Sequence, residues 1–358
     1  MRRIIMAVSN DLATDQRVQR VAQSLTDAGY SVTLVGRKLK NSLPVSFSYK
    51  AVRFSLLATR GPLFYALLNW RIFWFILFQK FDAAVANDLD TLVGVTLATK
   101  LRRRKLVHDS HELFTELPEL VNRPKTKRIW QTIERIFVPK VDVAYTVCQS
   151  IANIYNQLYN KQFSVIRNVP TQRNAQTYER KNNVIMYQGA LNVGRGIELM
   201  IETMRLLPNC ELWIAGGGDV EQQLRTQAKN QTDGGKVVFL GKLPPEKLRE
   251  HTAMASVGLS IEEDLGLNYH FALPNKLFDY IQAGVPVIVS NLPEMRAIVE
   301  SYQIGTILTN RTPQALAQAI EQMLQASNTY ASNIKLAANE LCWQNEEKQL
   351  IKTYNQLW

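Results

Sequence analysis

The sequence predicts an α/β protein of two doubly wound, parallel-sheet domains. Short apolar runs alternate with stretches of helical spacing along the whole chain, as consecutive βαβ units require. The alternation stops once, in the polar segment 171–183 (TQRNAQTYERKNN), and then resumes. A length of 358 residues suits two such domains.

In the first half, residues 4–8 (IIMAV) read as a strand, and 16–28 as a helix with apolar positions Val18, Val21, Ala22 and Leu25. Gly29-Tyr30 turns the chain into a strand at 32–35. Residues 81–86 form the next strand, 89–101 a helix and 105–108 another strand. A strand at 141–147 and a helix at 151–158 close this half. In the second half, strands are expected at 184–187, 211–215, 237–240, 257–261 and 285–289. Helices are expected at 197–206, 220–228, 246–254, 276–283 and 313–325, with one or two more in 333–357. The division is then a first domain 1–168, a linker 169–183, a second domain 184–335, and closing helices 336–358 packing back toward the first domain. Open parallel sheets bind ligands at the carboxyl ends of their strands. Two such domains facing across a cleft suit a two-substrate reaction.

Composition removes several classes. With 46% hydrophobic and 20% charged residues the chain is neither disordered, collagen-like nor coiled coil. Cys148, Cys210 and Cys342 are odd in number and far apart, which excludes a disulfide framework and fits a reducing cytoplasm. Only five apolar residues follow Met1-Arg2-Arg3, too few for a leader peptide. The longest apolar stretch, 62–78, is interrupted by Asn69 and Arg71, whereas a spanning helix wants roughly 20 apolar residues. Charge is unevenly spread. Residues 1–165 hold 24 Lys and Arg against 12 Asp and Glu, and the remainder 18 against 19, so the first half meets something anionic. The aromatic stretch 62–78 and the basic runs 100–105 (KLRRRK) and 123–128 (RPKTKR) share that half. They suggest a peripheral contact with an anionic membrane; the plain alternative is a buried helix beside solvated charge.

Chemistry-bearing residues gather at expected strand ends. Gly189, Gly194 and Gly196 lie in a strand–helix turn (YQGALNVGRG) where backbone can approach an anion closely, and Arg195 adds a cation. Gly216 and Gly217 form a second such turn (AGGGD), and Gly241-Lys242 a third strand end. Pro274 opens a helix, which places Lys276 in its first turn, where a cation is unfavourable unless an anion faces it. Asp279 follows three residues later on the same face. A lysine for phosphates with a carboxylate for ribose hydroxyls reads a nucleoside diphosphate. In the first half, His108-Asp109-Ser110-His111-Glu112 ends a strand but lacks the spacing of a zinc site. Asp88-Leu89-Asp90 is read as a cap for the 89–101 helix, and Asp15 as the cap of the first helix, so no metal is expected. Asp11 and Arg17 flank the first strand–helix loop.

The glycine turn, GGGD, GKL and PNKLFDYIQAGVPVIVSNLPE together resemble the C-terminal domain of retaining glycosyltransferases of family 4, with the GT-B fold. SNDLATDQRVQRVAQSLTDAGYSVTLVGR, ANDLDTL and HDSHELF resemble the N-terminal half of a bacterial subgroup. The resemblance implies a nucleotide diphosphate sugar as donor substrate, no cofactor, and a glycan or lipid-linked acceptor in surface polysaccharide synthesis. Gly189, Gly194, Gly196, Gly216, Gly217, Gly241, Lys242, Asn268, Asn275, Leu277 and Asp279 would then bind the donor. Arg195, Lys276, His111 and Glu263 would carry the chemistry, with Asp11, Arg17 and His108 on the acceptor side. The chain departs from the pattern twice. Ala190 stands where the family has an arginine, a loss that Lys276 would replace. Phe271 stands where the first acid of an E-x7-E motif belongs, and Glu263 is the substitute expected across an insertion.

Two rivals remain at the level of sequence. A nucleotide-sugar 2-epimerase would share the fold, and a non-enzymatic basic binder of nucleic acid or membrane would share the charge. No nucleic-acid-binding motif is present, and no GxGxxG with a following ribose acid supports a dehydrogenase.

Overall fold

The computed structural model describes residues 1–358 except 122, 173–177 and 232. The chain divides into two compact units, Met1–Asn168 with Glu346–Trp358, and Val169–Asn345. Of the linker expected at 169–183, residues 173–177 lie outside the described residues.

The first unit begins with β1 (Arg3–Asp11), α1 (Gln16–Asp27), β2 (Ser31–Arg37), β3 (Lys50–Phe54) and α2 (Gly61–Phe78). It continues through β4 (Ala83–Asn87), α3 (Leu89–Leu101), β5 (Lys105–Ser110), α4 (Pro118–Val121) and α5 (Pro124–Phe137). The last of its sheet elements are β6 (Val143–Thr146), α6 (Gln149–Tyr159) and β7 (Phe163–Val165). Its sheet is parallel throughout, in the order β3-β2-β1-β4-β5-β6-β7. Strand β4 (AAVAN) is buried along its whole length, as a central strand covered on both faces must be. Asp15 caps α1 as expected, its carboxylate accepting the Val18 N–H at 3.2 Å.

Helix α2 shows how the interrupting polar residue is used. Phe64, Leu68, Ile72 and Ile76, spaced by four, form its buried face. Asn69 sits beside that face. Its Nδ2 donates to the Asp90 carbonyl at 2.7 Å, and its Oδ1 accepts the Gly94 N–H at 2.8 Å. A side chain on Gly94 would come within 2.4 Å of the Asn69 carbonyl, so only glycine lets α2 and α3 approach this closely. The clamp fixes the rotation of α2 about its own axis.

The second unit runs β8 (Val184–Gln188), α7 (Ile197–Thr203), β9 (Glu211–Ala215), α8 (Glu221–Lys229), β10 (Lys236–Gly241) and α9 (Pro245–Met254). It continues with β11 (Val257–Ser260), α10 (Leu267–His270), α11 (Asn275–Gln282), β12 (Val287–Ser290), α12 (Pro293–Tyr302), β13 (Gly305–Leu308), α13 (Pro313–Gln325) and α14 (Ala331–Glu340). Its parallel sheet has the order β10-β9-β8-β11-β12-β13. Ile334 and Ala337 of α14 are buried in this unit's own core. The final helix, α15 (Trp343–Asn355), carries the chain back to the first unit from Glu346 onward. There Glu346 pairs with Arg167 at 3.0 Å and the hydroxyls of Tyr354 and Tyr145 lie 3.3 Å apart.

Helix α11 is seated by a ring passing over a glycine. A side chain at Gly258 would lie 2.5 Å from the Tyr280 ring. The Tyr280 hydroxyl donates to the Met186 carbonyl at 3.0 Å and lies 3.3 Å from that of Leu259, tying α11 to β8 and β11. This places the start of α11 beside the tips of both strands.

Candidate active site

The tips of β8 and β9 come together through glycine. Gly216 has φ +147°, and a side chain there would lie 1.8 Å from the Gly189 carbonyl. The Gly216 N–H donates to the Gly241 carbonyl at 2.8 Å, and Lys242 lies across Gly217. Gly196 (φ +72°) likewise has the Ile261 carbonyl where a side chain would go. Gly189, Gly194, Gly196, Gly216, Gly217, Gly241 and Lys242 therefore line neighbouring strand tips of one sheet.

Beside these tips sits a buried carboxylate, Glu262. Its Oε1 accepts from Lys276 Nζ at 2.7 Å and lies 3.9 Å from Arg195 Nη1, while its Oε2 accepts from Ser260 Oγ at 2.8 Å. Lys276 Nζ lies 4.1 Å from the centre of the Tyr187 ring, and Arg195 stacks over Tyr269 at 5.0 Å. Burial pushes the Glu262 carboxyl up, but the neighbouring Lys276 and Arg195 outweigh it and hold it below the usual range. Burial also pulls the Lys276 ammonium down, and Glu262 offsets only part of that. Two cations against one carboxylate leave this pocket of side chains with one positive charge to offer. Arg195 Nε is buried and has no hydrogen-bond partner among the described residues, so a donor is held ready.

The expected substitute acid was Glu263, and here the structure corrects the reading. Glu263 is half-buried and faces Arg311 at 3.7 Å; the carboxylate that meets Lys276 and Arg195 is its neighbour Glu262. Strand alternation carried the signal, because Ser260 and Glu262 fall on one side of the extended chain. Arg311 was also missed. It lies after β13 and donates to the carbonyls of Ile261 and Glu262 and to Ser290 Oγ at 3.0–3.1 Å, fixing the β11 tip.

Asp279 lies half-buried one turn beyond Lys276. Gln188, at the end of β8, donates from Nε2 to Asp279 Oδ2 at 2.9 Å, and its Oε1 accepts from Thr252 Oγ1 at 2.6 Å. Gln188 and Thr252 thereby orient the carboxylate that the sequence assigned to a ribose. Asn275 is exposed at the start of α11, and Asn268 is on α10. Leu277 is fully buried in the core, so its side chain cannot touch a ligand.

A second cluster closes the tips of β4 and β5 in the first unit. The carboxylate of Asp88 accepts the His111 N–H at 2.8 Å and lies 3.0 Å from His111 Nδ1. His111 Nε2 lies 3.2 Å from Asp109, which also pairs with Arg17 at 2.8 Å. Burial lowers the His111 imidazole, but Asp88 and Asp109 outweigh it and raise it well above its ordinary value. The sequence assigned Asp88 to capping; it occupies the N-cap position of α3, but its side chain makes no capping bond and turns to His111 instead. Asp88 has φ +59° and ψ 170°, a backbone conformation costly for a residue with a side chain. Arg17, expected on the acceptor side, is buried with its guanidinium given to Asp109 and the Ile166 carbonyl. His108 is also removed from the cluster, being buried edge-on to Phe163 with Nδ1 3.2 Å from the Ala86 carbonyl. Asp11 is buried and held by Ser42, the Ala13 N–H at 3.1 Å and Arg53 at 3.8 Å. Among the described residues no group of three or more His, Cys, Asp and Glu is disposed to hold a metal ion.

Asp90 yields a pH prediction. Burial, then Asp88, push its carboxyl up to about 7, and its Oδ1 is buried with no hydrogen-bond partner among the described residues. A carboxyl raised on folding contributes stability fully present below about pH 4, its unfolded value, and lost as pH rises through its folded value. Asp90→Asn removes that loss. In urea titrations from pH 4 to pH 8 the variant should gain on the wild type with pH, by up to about 4 kcal/mol at pH 8. Parallel pH profiles would contradict this.

The two parallel α/β units, with sheets of seven and six strands, have the GT-B fold. The chain belongs to the glycosyltransferase group 1 and family 4 family: residues 15–170 match Glycosyltransferase Family 4, and residues 168–340 match Glycosyl transferases group 1. Among solved structures it is similar to sucrose-phosphate synthase from Thermosynechococcus elongatus (TM-score 0.77, 17% identity, covering 100% of this chain and 99% of that one). It is also similar to HepE from Anabaena, solved in complex with UDP and glucose (TM-score 0.75, 15% identity, 99% and 100% covered). An uncharacterized glycosyltransferase of Methanocaldococcus jannaschii is 26% identical over 180 residues, 48% of this chain and 44% of the relative. A phosphatidyl-myo-inositol mannosyltransferase of Mycobacterium leprae is 24% identical over 185 residues, 49% and 47%. These matches span less than half the length of either curated relative.

Proposed function

We propose that the protein transfers a sugar from a nucleoside diphosphate sugar to a hydroxyl of a glycan or lipid-linked acceptor, with retention of anomeric configuration. The observation that carries this reading is the convergence of Lys276 and Arg195 on one buried carboxylate at glycine-lined strand tips. A departing nucleoside diphosphate is a compact anion, and its developing charge is what fixed cations and backbone N–H groups stabilise best. Arg195 and Lys276 face the diphosphate in this reading, Gly189 and Gly216 let the backbone approach it, and Asp279, oriented by Gln188, receives the ribose hydroxyls. Glu262 keeps both cations in place before the donor arrives.

Retention follows from attack by the acceptor on the face the leaving group departs from. The acceptor O–H loses its proton to the leaving phosphate as the new glycosidic bond forms and the old C–O bond breaks. No enzymic nucleophile is needed. His111, with Nδ1 against Asp88 and Nε2 against Asp109, has no ring N–H left for a sugar hydroxyl, and in this reading it holds the two carboxylates at the strand tips. The similarity to a phosphatidyl-myo-inositol mannosyltransferase supports an acceptor of lipid type, and UDP in the HepE complex supports a uridine donor. Three free, buried cysteines suit a reducing compartment.

The test is a thermal-shift screen with UDP, GDP and ADP, followed by turnover with the sugar of the best binder. A ligand at about 100 times its Kd should stabilise the chain by about 2.7 kcal/mol. Arg195→Ala should lower kcat roughly 10²-fold. No stabilisation by any of the three, or epimerisation of donor alone without transfer, would sink the proposal.

A further inference from the structure

Helix α2 turns one row of apolar side chains outward. Trp70 and Phe78 are 59% and 73% exposed, and Leu63 and Trp74 are exposed beside them. Trp70 meets Trp74 edge-on at 5.4 Å, and Trp74 stacks on Phe78 at 5.7 Å, so the three rings form an ordered ladder along the helix. This face is not free to roll inward. The Asn69 bonds to Asp90 and Gly94 and the buried row Phe64, Leu68, Ile72 and Ile76 hold the helix in one rotation. Sequence reading left open whether 62–78 is core or surface; one row is core, and the ladder is surface.

The charge around the ladder is predominantly positive. Residues 55–81 contain no Asp or Glu, and the one acid of α3, Asp90, is buried. Arg102 donates to the Leu77 carbonyl at 2.6 Å, which brings the 100–105 run to the Phe78 end of α2. Lys100, Arg102, Arg103, Arg104 and Lys105 are all exposed there. Two of these five cations lean on carboxylates, Lys100 on Asp142 at 3.5 Å and Arg104 on Asp82 at 3.9 Å. Among the described residues the other three, Arg102, Arg103 and Lys105, face no carboxylate within 4 Å. Leu101 in the same run is exposed as well.

We infer that this face docks the protein on an anionic lipid bilayer. The Trp70–Trp74–Phe78 ladder lies at the boundary of headgroups and acyl chains, and the 100–105 run rests on the headgroup phosphates. Tryptophan favours that boundary because its ring is apolar and its N–H polar. Clustered lysine and arginine are drawn to the negative potential of the bilayer surface. A second copy of the chain would suit the face poorly, since pairing it with itself brings like charges together. The inference does not depend on the sugar-transfer reading.

The test is flotation of the full-length chain with vesicles of phosphatidylcholine alone and of phosphatidylcholine mixed with phosphatidylglycerol. The wild type should float with the mixed vesicles, less so as salt rises, and weakly with phosphatidylcholine alone. Trp70→Ser combined with Trp74→Ser should lower the bound fraction at least tenfold at equal thermal stability. Arg103→Gln combined with Lys105→Gln should remove the preference for anionic vesicles. Nucleotide binding in solution should be unchanged in both variants, which separates loss of docking from loss of the donor site. Failure of the wild type to float, or equal flotation of the tryptophan variant, would overturn the inference. So would a wild-type dimer in light scattering that the tryptophan variant abolishes.

Discussion

Lys276→Met should abolish high-affinity binding of a nucleoside diphosphate and also destabilise the second unit. Removing the lysine takes the 2.7 Å partner from a carboxylate that is fully buried. Breaking a buried ion pair by truncating one member costs about 3–5 kcal/mol, chiefly because the remaining charge is stranded. Arg195, 3.9 Å from the same oxygen, should keep the loss near the lower end, about 3 kcal/mol. The two consequences separate in a double variant. Lys276→Met with Glu262→Gln removes both charges, so stability in urea should largely return. Nucleotide affinity should not, because the cation is still gone. Recovery of both would mean that Lys276 serves the fold alone.

Arg17→Met should cost the first unit about 3–5 kcal/mol by the same physics. Arg17 and Asp109 are both buried, 2.8 Å apart, and Asp109 is the residue against which His111 is held. Burial pushes the Asp109 carboxyl up, and Arg17 with His111 more than reverses this, holding it far below the usual range. A carboxylate lowered on folding contributes stability that is present above about pH 4, its unfolded value, and lost as pH falls through its folded value. The gap between wild type and variant should therefore be widest near neutral pH and shrink toward strong acid. Arg17→Met with Asp109→Asn should recover part of the loss. A pH-independent gap in urea titrations would contradict the account.

The alternation of apolar runs and amphipathic helices was legible because most strands of both sheets are covered on two faces and read as unbroken apolar segments. What escaped was the periphery. Strand β3 (KAVRF) is an edge strand, half-exposed and mixed in composition. Helix α5 begins in the basic run 123–128, where solvated charge hides the helical spacing. Helix α12 and strand β13 follow β12 at a point where the short segment GTIL gives little pattern to read.

At the site, glycines, Lys276 and Asp279 were legible because each is an unusual residue for its place: glycine at a strand end, a cation in a first helical turn, an acid on the same face. Glu262 was harder. It adjoins Glu263 and Asp264 in one acidic stretch, and only burial tells the three apart. Gln188 carries no charge and marks its role only through contacts with Asp279 and Thr252, which are distant in sequence. His108 and Arg17 misled for the opposite reason. Their residue types suggest chemistry, but tertiary packing had claimed them for the core.

Calorimetric titration of UDP, GDP and ADP into the wild type and into the Lys276→Met, Glu262→Gln double variant tests the account at its centre. It predicts saturable binding of at least one diphosphate to the wild type and a loss of at least roughly tenfold, about 1.4 kcal/mol, in the folded variant. Equal affinity of the two proteins, at equal folded fraction, would contradict it.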